Sequence, residues 1–160
     1  MNFTYWFDVI IVHTQLFINN EFVPGHGPLI ETINPATEEV ICSVHTADES
    51  DVDAAVRAAK DCFKSVWRKT APAERARLIN KLADLMERDK DEIATLDALD
   101  NGKAFTIARD VDVTDSIACF RYFAGWADKI HGKTIDTTFD KLCYTRHEPL
   151  GVVGAIVVCI

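Results

Sequence analysis

Glu148-Pro-Leu-Gly-Val-Val-Gly-Ala-Ile-Val-Val-Cys-Ile160 is the run on which the fold class turns. From Val152 onward its residues are apolar or glycine, with no alternation between faces. A segment apolar on both faces is what a central strand of a parallel sheet looks like. Parallel neighbours are joined by crossovers, usually helical, so this strand predicts an α/β chain. Gly151-Val-Val-Gly154 lies before or within that strand rather than between a strand and a helix. It therefore reads as a tight entry to the strand and not as a phosphate-binding loop.

Just upstream, Lys133–Phe139 and Leu142–His147 alternate β-branched or aromatic residues with polar ones, a half-exposed hairpin turning at Asp140-Lys141. Four helices are expected before it. Asp48 caps the first, whose stripe is Val52, Val56, Ala59, Phe63 and Val66. The second starts near Thr70 with Pro72 in its first turn and carries Leu78, Leu82, Leu85 and Met86. The third carries Ile93, Leu96 and Leu99 and stops at Asn101-Gly102, a left-handed cap. The fourth and longest places Val113, Ile117, Phe120, Ala124 and Ala127 on one face and runs to Gly132. At the start, Leu16–Ile18 and Glu21–Val23 flank Asn19-Asn20, a hairpin turn that needs positive φ. Leu29–Ile33 and Val40–His45 form two more strands around a turn built on Asn34-Pro35.

Composition agrees with a soluble globular chain: 160 residues, 48% apolar and 26% charged. The formal charge of −8 is unevenly placed, because residues 1–56 contain nine acids and no Lys or Arg. That balance argues against nucleic acid or an anionic membrane as partner, and against an Arg-rich mitochondrial leader. The apolar start, Met1 to Val12, is interrupted by Asp8 and lacks a basic lead, so neither a signal peptide nor a membrane span is expected. Five widely spaced cysteines without a C-x-x-C pair suggest reduced thiols in a cytoplasmic protein.

No complete catalytic constellation emerges from these residues alone. The histidines (His13, His26, His45, His131, His147) lie near turns or strand ends without metal-ligand spacing, and none stands beside a Ser or Cys nucleophile. Paired acids such as Glu38-Glu39 and Asp110/Asp112 read as solvated faces or caps. Asp100, directly before the helix-ending Asn-Gly, is open to two readings: it stabilises the turn, or it reaches an ion.

Eight segments nevertheless occur in order at characteristic separations. They are Leu16-Phe-Ile-Asn-Asn-Glu-Phe-Val23, Thr32-Ile-Asn-Pro-Ala-Thr37, Asp51-Val-Asp-Ala-Ala-Val56, Leu82-Ala-Asp-Leu-Met-Glu-Arg88, Leu99-Asp-Asn-Gly-Lys103, Arg121-Tyr-Phe-Ala-Gly-Trp-Ala-Asp-Lys129, His131-Gly-Lys-Thr134 and Tyr144-Thr-Arg-His-Glu-Pro-Leu-Gly-Val152. Over about residues 16–154 the chain resembles the N-terminal part of the NAD(P)-dependent aldehyde dehydrogenases. The resemblance implies the corresponding α/β fold: short strands, four helices, an assembly hairpin and the first strand of an incomplete Rossmann-like sheet. It also implies a division into an atypical segment 1–15, a strand-plus-helix part 16–132 of the cofactor-binding domain, an oligomerisation-type hairpin 133–148 and the start of the dinucleotide-binding sheet at 149–160.

The family reaction so implied is oxidation of an aldehyde to a carboxylate, with NAD or NADP as cofactor, through a thiohemiacetal and thioester on a catalytic Cys. A Glu-activated water and an oxyanion-binding Asn assist. None of those three residues has a counterpart here, and neither Cys119 nor Cys143 has the nucleophile's flanking sequence. The chain is therefore expected to be a truncated family member without activity of its own. An alternative is a non-catalytic protein that associates with intact family subunits through the 133–148 hairpin. By resemblance, Thr32, Ile33 and Asp100 match a structural monovalent-cation site, and Ile156 and Val157 match backbone positions beside the cofactor. The intact family forms homo-oligomers.

Overall fold

Three two-stranded antiparallel ribbons and a group of helices make up the chain, as a computed structural model that describes residues 12–157. Residues 1–11, most of the atypical N-terminal segment, and 158–160, the end of the apolar run, lie outside the described residues. β1 (Leu16–Ile18) pairs with β2 (Glu21–Val23), Leu16 opposite Val23. Asn19 and Asn20 take φ of 51° and 67°, as a two-residue turn that matches strand twist requires. β3 (Ile30–Ile33) pairs with β4 (Val40–Val44), and the register slips between Thr32 and Ile33. Thr32 opposes Cys42 and Ile33 opposes Val40, which leaves Ile41 as the extra residue of a β-bulge.

α1 (Glu49–Ser65) begins with a reciprocal cap. The Asp48 carboxylate accepts from the Asp51 N–H at 3.1 Å, and the Asp51 carboxylate accepts from the Asp48 N–H at 3.1 Å. α2 (Pro72–Arg88) carries Pro at its first position, where the missing N–H costs nothing. α3 (Lys90–Asn101) ends at Gly102, whose φ of +79° completes the left-handed cap. A Cβ at Gly102 would stand 2.6 Å from Cγ of Pro35. The helix end thus rests directly on the β3–β4 turn.

One expectation fails after this cap. In place of a continuous helix running to Gly132, a short α4 (Phe105–Ile107) leads into a π-helical stretch, Ala108–Val113. α5 (Thr114–Ala124) follows and stops at Gly125. The wide turn has two side-chain supports: Lys103 Nζ lies 2.7 Å from Asp112, and the Thr114 hydroxyl donates to the Arg109 carbonyl five residues back at 3.0 Å.

The core forms where α5 crosses α2 and the π turn lies on α3. Its buried residues are Ala83, Ala94, Ala108, Val113 and Ile117, with Met86, Ile93 and Ala98 packed against them. The methyl side chains of Ala83, Ala94 and Ala108 let the helix backbones come close. Arg121 closes the rim, bridging from α5 to Asp84 and Glu87 of α2. The stripe of α1 is different: Val52, Val56 and Val66 are all exposed.

Only the base of the expected hairpin pairs, as β5 (Thr134–Ile135) with β6 (Cys143–Tyr144). The Lys141 N–H closes the turn on the Thr138 carbonyl at 3.0 Å. The apolar run gives a second correction: residues 151–157 form no strand among the described residues. A strand is defined by its ladder, and this run has no neighbour to hydrogen-bond to. The α/β class itself holds. Accessible surface reaches 12973 Å², where a compact protein of 17.9 kDa has about 8,000 Å². Among the described residues, no helix is long and apolar enough to cross a membrane.

Candidate functional site

The β3 bulge and the C-terminal turn of α3 converge on one corner. Thr32 and Ile33 stand at the bulge, and Asp100 is exposed two residues before Gly102. The Gly102–Pro35 contact brings the two segments side by side. Any residue larger than glycine at 102 would push them apart and would strain its own positive φ. The positions matched by resemblance to a cation site, Thr32, Ile33 and Asp100, would offer only hard oxygen donors.

A polar network braces the same corner. Lys103 Nζ reaches Asp112 at 2.7 Å and Asp97 at 3.3 Å. The Asn101 amide donates to Asp97 at 3.1 Å, and its oxygen accepts from the Lys103 N–H at 2.9 Å. The hydrogen bond to Asp112 holds the Lys103 ammonium above its ordinary pKa, so it stays charged.

A second cluster escaped the sequence reading. Asp51 is buried, the one buried charged residue among those described, and its carboxylate faces the Pro24–Pro28 loop. One oxygen accepts the His26 N–H at 2.8 Å, and the other pairs with His26 Nδ1 at 2.7 Å. The main-chain donors of His26 and Asp48, followed by the His26 ring, lower the Asp51 carboxyl to about 2. The His26 imidazole is raised by its hydrogen bond to Asp51 and by the charges of Asp51 and Asp48. Ligand atoms of His26, Asp48 and Asp51 lie within 4.8 Å of one another, but both oxygens of Asp51 are already engaged. The arrangement is a clamp that fastens the loop to the start of α1. Its only trace in the sequence is an acid three residues after an Asp cap, and the partner lies 25 positions away.

The positions matched to the cofactor take part in neither cluster. Ile156 and Val157 are almost fully exposed. Val152 and Val153 face Ala59, Cys62, Phe63 and Trp67 across a shallow groove. Among the described cysteines, Cys42 lies 3.5 Å from the Thr32 hydroxyl, while Cys62 and Cys119 are exposed. No described cysteine is hydrogen-bonded to a histidine or carboxylate.

A profile of the aldehyde dehydrogenase family matches residues 22–158. An aldehyde dehydrogenase of Emericella nidulans is 62% identical over 143 residues, which is 89% of this chain and 29% of that protein. The cytosolic aldehyde dehydrogenase 1 of Rattus norvegicus is 52% identical over 92% of this chain and 30% of its own length. In structure, the aldehyde dehydrogenase of Bacillus cereus solved in complex with NAD+ superposes with a TM-score of 0.83 at 50% identity, over 87% of this chain and 29% of that one. The chain therefore spans about three tenths of the length of the relatives it matches.

Proposed function

We propose, from the premise that the chain belongs to the aldehyde dehydrogenase family, that it supplies the N-terminal scaffold of an enzyme oxidising aldehydes to carboxylates with NAD or NADP. The observation that carries this reading is the match in fold at 50% identity to a dehydrogenase solved with NAD+. The large uncovered surface supports it, since apolar faces such as the α1 stripe fit a larger packed body. In this reading residues 16–132 belong to the cofactor-binding domain, 133–148 is an assembly arm, and 149–160 opens the dinucleotide-binding sheet. Ile156 and Val157 then lie beside the cofactor through their backbone. Thr32, Ile33 and Asp100 hold a monovalent cation whose charge draws the bulge and the helix end together. The free thiols among the described residues support a reducing, cytoplasmic setting.

In this reading the 160-residue chain is inactive by itself. The test is complementation. The chain is mixed with a polypeptide corresponding to the part of a relative beyond the match, and aldehyde-dependent formation of reduced nicotinamide is followed. Turnover by the mixture and by neither piece supports the proposal; turnover by this chain alone overturns its inactivity.

A second reading is favoured by the ribbon, where Leu142 and Tyr144 are 80% and 65% exposed. Through 133–148 the chain would associate with intact subunits of its family without catalysing. Co-purification with a full-length relative, abolished by Leu142→Asp and accompanied by no turnover in the complementation mixture, separates this reading from the first.

A further inference from the structure

His45 directly follows β4 and holds both ends of the β1–β2 ribbon. Its main-chain N–H donates to the Thr14 carbonyl, just before β1, at 2.8 Å. Its ring nitrogen Nδ1 accepts the Gly25 N–H, just after β2, at 3.3 Å. A main-chain N–H only donates, so this Nδ1 is bare of a proton. His26, in the same loop, is the opposite case. The ionised Asp51 carboxylate only accepts, so Nδ1 of His26 carries a proton. Glycine at 25 lets the loop lie this close, because a Cβ there would strike the Thr46 carbonyl and stand 3.1 Å from Cδ1 of Leu16. Gly27 is anchored without an imidazole, its N–H donating to the Thr46 carbonyl at 3.0 Å.

The two rings therefore answer acid in opposite ways. A proton on Nδ1 of His45 sets one N–H against another, and the bond to Gly25 is lost. A proton added to His26 only charges a bond already made to Asp51. The titratable groups on the segments around His45 are His13, stacked on Phe22 of the ribbon, Glu21 of β2, His26 of the loop, Glu31 of β3, and Asp48 and Asp51 at the start of α1. No Lys or Arg precedes Arg57, so the ribbon, the loop, β3 and β4 present no fixed cation to the incoming proton. We propose that His45 is an acid-sensitive latch: on taking a proton it releases Gly25, and the base of the β1–β2 ribbon loosens from β4 while Gly27 and His26 keep the loop tethered.

The test is nuclear magnetic resonance on the isotope-labelled full chain, compared at about pH 8 and about pH 5, either side of the ordinary imidazole range. Ring nitrogen signals at the higher pH should show Nδ1 of His45 bare and Nδ1 of His26 protonated. Amide exchange is read as protection, the rate at each pH divided into the rate of an unstructured peptide at that pH. Protection at Gly25 should fall about fivefold on acidification, the weight of one hydrogen bond, while Gly27 stays as it was. His45→Gln, whose amide oxygen accepts from Gly25 at either pH, should keep Gly25 protected throughout. His26→Asn should leave the Gly25 response in place. Gly25 protection that ignores pH, or a proton on Nδ1 of neutral His45, overturns the latch. An equal loss at Gly27 overturns it too, because the whole region then opens together. So does a fall that persists in His45→Gln, or one that vanishes in His26→Asn, since another group is then responsible. If either variant fails to fold, the wild-type tautomer and the contrast between Gly25 and Gly27 still decide.

Discussion

The α2–α3–α5 unit and the stretch 133–157 hold comparable shares of apolar residues and use them in opposite ways. In the helical unit Ala83 and Ala94, with Ala108 of the adjoining π turn, lose all contact with water, although Leu78, Leu82, Phe120, Tyr122 and Phe123 stay partly exposed. In the later stretch Leu142, Leu150 and Ile156 are 80%, 94% and 99% exposed. Helices satisfy their backbone internally, so a helical unit needs only one covered face to settle. A strand satisfies its backbone only through neighbours, so the same apolar content has no fold of its own without them. The difference is one of architecture and not of composition.

The contrast can be broken most forcefully from the packed side. Ala94→Asp places an unpaired carboxylate among Ala83, Met86 and Ala98, and should cost about 3–5 kcal/mol in urea unfolding. A loss near zero would mean that the core is no drier than the ribbon. Gly102→Ala tests the corner where the helical unit meets the β3–β4 ribbon. Its left-handed φ and the contact with Pro35 predict a loss of about 1–2 kcal/mol, read from the same denaturant curves.

A subtler change concerns the clamp at α1 and is seen in the shape of the pH profile. The Asp51 carboxyl is lowered to about 2, so its stabilisation is complete above the ordinary carboxylate range and is lost as pH falls towards 2. The His26 imidazole is raised, so its share is complete below the ordinary imidazole range and fades as pH rises through the raised value. Asp51→Asn should therefore flatten the acid limb of the thermal midpoint against pH. His26→Asn should flatten the limb above neutrality and leave most of the acid limb, because the main-chain donors to Asp51 remain. Smallest of all, Ile156→Lys should change stability by no more than about 0.5 kcal/mol while reducing self-association in light scattering. A larger loss would show that the apolar run is packed after all.

What the sequence disclosed follows the range of the interactions involved. The Asn19-Asn20 turn, Pro72 at the start of α2 and the Gly102 cap were legible because each depends on a residue's own φ or its missing N–H. Thr32, Ile33 and Asp100 were grouped only through resemblance to a family, since 67 positions separate Ile33 from Asp100. The π turn was missed because side-chain periodicity carries no record of Lys103 reaching Asp112 from outside the helix. The clamp of His26 on Asp51 was missed for a similar reason: its pairing is tertiary, and an acid in a helix's first turn is ordinary. The strand at 152–157 was read from its residues, but strand formation depends on neighbours that no residue in the run encodes.

The alanine-lined core has a thermal consequence. Methyl groups bury little apolar area, and the heat-capacity change of unfolding scales with the apolar area that unfolding exposes. With no large side chain fully buried among the described residues, that change should fall below the ~12–15 cal/mol/K per residue of ordinary globular proteins. The stability curve is then a shallow arch, changing little between cold and warm, whose height is set by helix backbones in close contact more than by water released from a greasy interior.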